Sequence, residues 1–445
     1  MKNFVTRFAP SPTGLMHAGN YRTAVFAYLS AKHEGGKFVV RIEDTDKARS
    51  KLEYETPIFE TLTWLNLHAD EQYRQSEHRP RHRELLEKLI AEGAAYISKE
   101  IPKSPTDREE VIRFKNPNGT VTFTDVIRGE ITTDVSDLGD FIIARSLDEP
   151  VFHFAVAVDD ADEKVTHVIR GADHISNTAR QMLILRALDF TIPLYAHLPL
   201  IFDKTHKKLS KRIGAKALIE YRDEGILPEA MLNYIAFLGW NPGDEREYLS
   251  REELIEAFDI SRVQKGSAIF DEVKLFSVNQ HWMRKLSDEK FYACLDFVSP
   301  SSNDGLTKSL IPLLKERAKT FKEAREMLGG ELSCFFNEPE IDKNLLLAKE
   351  PADRSGIAIS ALKGLLEPIK AFPSGVSAEA VKATIMPFAD AEEAKGKGGR
   401  GAVLWPLRYA LSGAERSPDP FTIISILGAD ESVSRIQKAI AILEG

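Results

Sequence analysis

The sequence predicts an α/β fold: a parallel-sheet domain split by an α/β insert and followed by a helix-rich C-terminal half. Three observations predict it. A strand-like run, a turn-rich loop, a helix-period segment and a second apolar run succeed one another before residue 43. Apolar runs of the same kind resume past residue 150, after a charged stretch. Beyond Ile213 the helical period dominates to Gly445.

Taken in order, residues 4–8 (FVTRF) form a short strand and residues 10–16 (PSPTGLM) a loop. Residues 18–33 carry Ala24, Val25, Tyr28, Leu29 and Ala31 at helical spacing, and Gly35-Gly36 stops that helix before the strand at 38–42 (FVVRI). This is a βαβ unit, hence a parallel sheet. From 75 to 148 come a charged helix at 84–92, a Pro-punctuated loop at 101–107 and alternating segments at 121–123 and 131–133, expected to form a small sheet of the insert's own. The runs at 152–158 and 165–169 read as parallel strands, followed by a helix at 178–188 and a strand run at 198–202. Later helices are expected at 230–238, 250–258, 288–298, 319–327 and 433–443, with a Gly-rich basic segment at 394–401. The organisation is therefore 1–75 with 150–212 as one domain, 76–149 as an insert, 213–290 as a helical domain and 291–445 as a helical end region.

With 445 residues, 43% apolar and 28% charged, the chain is too apolar for disorder to be its main state. No stretch approaches the ~18 consecutive apolar residues of a membrane span, and residues 1–14 have neither an apolar core nor a small-residue cleavage site, so a cytoplasmic protein is expected. Two cysteines, Cys294 and Cys334, suit reduced structural thiols. The net charge of −8 argues mildly against a nucleic-acid binder. That argument is weak in kind, because RNA affinity depends on where cations lie within a screening length of about 8 Å.

The loop after the first strand lies where parallel sheets put their ligands, against a helix N-terminus that suits phosphate. Neither a dinucleotide glycine fingerprint nor a GxxxxGK loop is present. Instead Arg7-Phe-Ala-Pro-Ser-Pro-Thr-Gly14-Leu-Met-His17-Ala-Gly19-Asn20 stands there, and the second strand ends in Arg41-Ile-Glu43-Asp44-Thr-Asp46, setting acids opposite Arg7. A plainer alternative is that His17 only caps the helix and that Arg7 and Glu43 pair with each other. A second cluster, Asp203-Lys-Thr-His-Lys-Lys208-Leu-Ser210-Lys211-Arg212, has cations at 204, 207, 208, 211, 212 and 216 with no acid between 204 and 216. Such a run repels itself unless an anion is present.

RFAPSPTGLMHAGN resembles the signature of the glutamyl subclass of class I aminoacyl-tRNA synthetases, with HAGN where the class has its HIGH tetrapeptide. RIEDTD, the Lys208 to Arg212 loop (similar to KMSKS), FHFAVAVDD with HVIRGADH, LNYIAFLGW and LWPLRYALSG continue the likeness over most of the chain. The resemblance implies a split Rossmann-type catalytic domain that joins glutamate to tRNA(Glu) through a glutamyl-adenylate, with ATP as a substrate carried by Mg²⁺. It makes His17 and Lys211, assisted by Lys208, the catalytic residues. ATP would lie against Pro10, Ser11, Gly14, His17, Ala18, Gly19, Asn20, Leu200, Ile201, Lys208, Leu209, Ser210, Lys211 and Arg212. Glutamate would meet Arg7, Ala9, Ser11, Glu43, Phe152 and Arg170, with Arg7 on its γ-carboxylate and Glu43 on its ammonium. A guanidinium does pair with a carboxylate through two parallel hydrogen bonds. Two positions depart from the pattern: Asn20 closes the tetrapeptide in place of His, and Phe152 stands where the subclass carries Tyr, removing a hydroxyl. No zinc is expected, since 91–107 contains no Cys or His. The insert would bind the acceptor end, the 213–290 domain the stem and the helical end region the anticodon, in a monomer. A truncated paralogue that glutamylates a modified base lacks such an end region, and the glutaminyl enzymes carry β-barrels there.

Overall fold

A computed structural model of the chain describes residues 3–46, 49–101, 109–209, 216–296, 304–347, 355–394 and 399–445. They fold as two compact units, Met1–Trp282 and Met283–Gly445. The first unit opens as the sequence indicates, with β1 (Val5–Phe8), α1 (Ala18–His33) and β2 (Lys37–Ile42). Helix α1 starts at a capping box: the His17 ring accepts from the Gly19 N–H, and Asn20 Oδ1 accepts from the His17 N–H. It stops where Gly35 turns to φ 67° and the Gly36 N–H donates to the Ala31 carbonyl. A side chain at 36 would strike the Phe4 carbonyl at 2.0 Å, so glycine there lets the helix end lie against β1.

After α2 (Leu52–Trp64), β3 (Glu71–Arg74) and α3 (Arg79–Ala91), the chain continues through β4 (Ala95–Lys99), β5 (Glu110–Phe114), β6 (Thr120–Asp125), β7 (Gly129–Asp134), β8 (Phe141–Ser146) and β9 (Glu149–Pro150). Four of these strands form a separate sheet in the order β4-β5-β8-β9. The segments at 121–123 and 131–133 do not belong to it, contrary to expectation. β6 pairs in parallel with β11 (Leu194–Leu198) and carries β7 antiparallel at the edge of the main sheet. The alternation of buried Val121 and Phe123 with exposed threonines marks one buried face, but it cannot say which sheet supplies the neighbour. The main sheet thus has seven strands in the order β3-β2-β1-β10-β11-β6-β7, with β10 at His167–Gly171.

A second correction concerns 152–158. This run is not a strand but the start of α4 (Phe152–Asp162), in which Phe154 to Asp160 are all buried. A helix enclosed on every side shows no polar stripe, so its short apolar run reads like a buried strand. The 198–202 run is also broken. Pro199 ends β11, and β12 (Ile201–Phe202) pairs with β13 (Ala268–Ile269) in a separate two-stranded sheet. The remaining helices of this unit are α5 (Ile175–Ala187), α6 (Leu218–Asp223), α7 (Pro228–Ala236), α8 (Arg251–Ala257), capped by Ser250, and α9 (Glu272–Lys285), which runs past its end. One apolar core joins Val5, Val39 and Tyr195 of the main sheet to Leu86 of α3 and to Ile112 and Phe141 of the four-stranded sheet.

The regular elements described in the second unit are all helices: α10 (Asp288–Asp296), α11 (Asp304–Arg317), α12 (Phe321–Gly329), α13 (Lys343–Leu346), α14 (Ser355–Lys370), α15 (Ala378–Ala394), α16 (Gly401–Ser412), α17 (Pro420–Leu427) and α18 (Ala429–Glu444). Leu362, Leu365, Leu407, Ile436 and Ala439 are wholly buried in it. Buried Arg435 donates to the Cys334 and Leu411 carbonyls, which ties α18 to α16 and to the 333–335 turn. No described helix in either unit is long and apolar enough to cross a membrane.

Candidate active site

The carboxyl ends of β1, β2, β10 and β11 open into one cleft of about 510 Å³. The chain returns to it four times. Arg7, Ala9, Pro10 and Ser11 come from β1 and its loop, and His17, Gly19 and Asn20 from the start of α1. Glu43 follows β2, Phe152 begins α4, Arg170 is the last residue but one of β10, and Leu200, Ile201, Lys208 and Leu209 follow β11. Of the residues singled out in the sequence, Gly14 and Ala18 do not line the cleft; Ala18 is buried in the first turn of α1. Ser210, Lys211 and Arg212 lie outside the described residues.

His17 is both cap and cleft residue. Its Nδ1 accepts the Gly19 N–H at 3.0 Å, which puts the proton of the neutral ring on Nε2 and makes that nitrogen a donor. Gly19 is required by this packing, because a Cβ there would come within 2.9 Å of the ring. Asn20 spends Oδ1 on the cap, leaving its amide nitrogen as a second donor at the helix start.

Arg7 and Glu43 do not pair with each other. Arg7 Nε donates to Asp160 Oδ1 at 3.1 Å and Nη1 to the Ile169 carbonyl at 3.3 Å, while Glu43 accepts from Arg41 at 3.2 Å. Arg41 is completely buried and binds Glu43, Asp160 and Glu163 together. Asp159, the neighbour of Asp160, accepts from His78 at 3.0 Å and His82 at 2.6 Å on the insert side. Burial pushes the Glu43 carboxyl up to about 7, against the opposing pull of Arg41 and Arg7. Sequence reasoning missed Arg41 and Asp160 as site residues. The signal was present: a charged residue inside the apolar run FVVRI must find acids when the strand is buried.

Arg170 differs. Its partners are His197, Thr178 and the His174 carbonyl, all neutral acceptors, and burial lowers its pKa to about 10, which leaves it charged at neutral pH. Phe152 is half-exposed and lies against the His174 ring at 5.6 Å. Arg22, also absent from the sequence reading, donates from α1 to the Pro199 and Leu238 carbonyls and so fixes the helix against the β11 loop.

The basic loop folds back through Asp203, whose Oδ1 accepts the Thr205 and Lys207 N–H groups. Three of its cations find acids within the protein: Lys204 meets Asp271, Lys208 meets Asp173 at 3.1 Å and Lys216 meets Glu224. An external anion is therefore not needed for those three lysines, contrary to the expectation from the run itself.

A cleft with backbone and imidazole donors at a helix start, beside two guanidiniums and a carboxylate at parallel strand ends, suits an anionic nucleotide together with an amino acid. The family described as "tRNA synthetases class I (E and Q), catalytic domain" matches residues 3–104 and 97–277, and "Anticodon binding domain" matches 277–440. The chain belongs to the class I tRNA synthetases of the E and Q group. More particularly, glutamate–tRNA ligase 2 of Coxiella burnetii is 38% identical over 476 aligned positions, which cover 99% of this chain and 98% of that protein. The crystal structure of a glutamate tRNA ligase from Elizabethkingia meningosepticum in complex with its amino acid matches with a TM-score of 0.85 at 31% identity, over 99% of this chain and 100% of that one. The glutamate–tRNA synthetase of Elizabethkingia anophelis matches with a TM-score of 0.82, also at 31% identity over 99% and 100% of the two chains.

Proposed function

We propose that this chain is a glutamate–tRNA ligase. It attaches L-glutamate to tRNA(Glu) in two steps with ATP, carried by Mg²⁺, as substrate. In the first, a glutamate α-carboxylate oxygen attacks the α-phosphorus of ATP, the bond to the bridging oxygen breaks, and pyrophosphate leaves. In the second, a hydroxyl of the tRNA 3′ adenosine attacks the carbonyl of the adenylate and AMP leaves. Both substrates of the first step are anions, so catalysis rests on positioning and charge neutralisation.

The observation that carries this reading is the pairing of two cations, Arg7 and Arg170, with one anion, Glu43, in a single cleft beside the His17 donor. Glutamate bears two carboxylates and one ammonium, the complementary set. Arg7 takes the γ-carboxylate, Glu43 the ammonium, and Ser11 and Arg170 complete the pocket; Phe152 supplies an apolar wall. His17, Lys208 and Lys211 neutralise the phosphates, with Leu200 and Ile201 beside the adenosine. Residues 76–149 take the acceptor end, 213–290 the stem and 291–445 the anticodon. The enzyme works as a cytoplasmic monomer and needs no zinc.

Exchange of labelled pyrophosphate into ATP, measured with glutamate and tRNA(Glu), tests the proposal. Glutamate-dependent exchange is expected, and its absence even with tRNA refutes it. Lys211→Ala should slow adenylate formation about a hundredfold, as loss of one charge-stabilising donor does, with little change in tRNA affinity.

A further inference from the structure

Arg170 stands directly opposite His197 in the β10–β11 register. Its Nε donates to His197 Nε2 at 3.2 Å and its Nη2 to Thr178 Oγ1 at 2.8 Å. His197, fully buried, does not line the cleft and is itself held from below. Asp125 Oδ2 accepts from His197 Nδ1 at 2.7 Å and from the His197 backbone N–H at 3.0 Å. The other oxygen, Oδ1, accepts the Ile127 and Arg128 N–H groups at 3.0 and 2.9 Å. Four donors converge on one buried carboxylate, and Arg128 closes the arrangement by donating to the His197 carbonyl at 3.2 Å.

The chemistry of these contacts is directional. A carboxylate only accepts, so the ring proton of His197 lies on Nδ1. A guanidinium only donates, so Nε2 is the acceptor that faces Arg170, with the Thr178 hydroxyl at 3.1 Å from the same nitrogen. We propose that Asp125 and His197 are positioning residues that fix the tautomer and aim the Arg170 guanidinium at the bound amino acid. This rests on the reading above that Arg170 belongs to the glutamate pocket. The arrangement also explains why Arg170 stays available: it is oriented by neutral acceptors, and no described carboxylate is hydrogen-bonded to it. Asp125 is the last residue of β6, the insert strand that joins the main sheet at Tyr195↔Asp125. That pairing brings an insert residue beneath a pocket that it does not touch.

The test compares His197→Gln, His197→Asn and Asp125→Asn in the full-length enzyme, measuring KM for glutamate and for ATP, together with Tm. Gln at 197 keeps an acceptor at the reach of Nε2 and loses the bond to Asp125; Asn keeps the bond to Asp125 and loses the acceptor. If aim is what matters, His197→Asn raises the glutamate KM ~10- to 100-fold, with the ATP KM unchanged. His197→Gln then recovers much of that loss, whatever the two variants do to Tm. Asp125→Asn should raise the glutamate KM about tenfold, since it no longer dictates the tautomer, and it decides the matter if His197→Asn does not fold. Equal effects on both Michaelis constants, or loss of Tm with no change in glutamate KM, overturn the proposal. A wild-type enzyme with no glutamate-dependent exchange would instead refute the function itself, a separate result.

Discussion

Arg7 and Arg170 line the same cleft from neighbouring parallel strands, yet the protein surrounds them with opposite kinds of partner. Arg7 shares the Asp160 carboxylate with Arg41, in a cluster that also holds Glu43, Glu163 and Asp159. Among the described residues, Arg170 is hydrogen-bonded to neutral groups: an imidazole, a hydroxyl and a carbonyl. The first guanidinium is part of the scaffold and presents one remaining edge to a ligand. The second is an oriented charge to which no described carboxylate is hydrogen-bonded, Asp160 and Glu43 acting on it only at longer range, which favours an incoming anion. A buried charged residue can thus serve fold and ligand together, or ligand chiefly, and its partners distinguish the two cases.

The sharpest test of that contrast is Arg7→Gln. It should lower kcat/KM for glutamate on the order of a thousandfold, through loss of a charge-assisted contact. It should also cost about 2 kcal/mol of stability, because buried Asp160 is left with fewer donors. Arg170→Gln is expected to raise the glutamate KM about a hundredfold while changing stability by less than about 1 kcal/mol. Equal stability losses in the two variants, read from chemical denaturation, would erase the distinction.

A pH profile separates the two sides further. Glu43, pushed up to about 7, carries its charge above that pH and loses it as pH falls. Arg170, at about 10, does not change in that range. If Glu43 binds the ammonium, kcat/KM for glutamate should drop about tenfold from pH 8 to pH 6, and a flat profile would remove Glu43 from that role. The smallest effect concerns the half-exposed Lys208–Asp173 pair beside the Arg170 strand end. Asp173→Asn releases the lysine and should lower the ATP KM two- to threefold, roughly the strength of an exposed ion pair. A rise in ATP KM would mean that Asp173 orients Lys208 and does not compete for it.

Much of this site was legible in the chain, for physical reasons. The strand, loop and helix from Arg7 to Asn20 are contiguous, so local periodicity and caps define them, and Arg7 and Glu43 are brought to one sheet edge by the parallel β1–β2 pairing alone. What could not be read were relations between distant segments. The apolar run of α4 shows no stripe, and the carboxylates of Asp159 and Asp160 acquire meaning only when that helix lies over Arg41. Likewise the polar alternation in β6 marks a strand, but only its pairing with β11 reveals Asp125 as the partner of His197. The cations at 204, 208 and 216 find their acids at 271, 173 and 224, none of which the run itself contains.

The strand order has a consequence for how the protein is made. β1 lies between β2, which follows it closely, and β10, with the Val5 N–H bonded to Thr166, the residue before β10 and 161 residues later. During synthesis the first two strands and α1 leave the ribosome with one sheet edge open, and that edge cannot close until residue 171 has emerged. Contacts of such long sequence separation slow folding and lengthen exposure of the unpaired edge. The nascent N-terminal segment therefore exposes an unpaired edge while synthesis continues, and fragments ending before β10 should be recovered as aggregates.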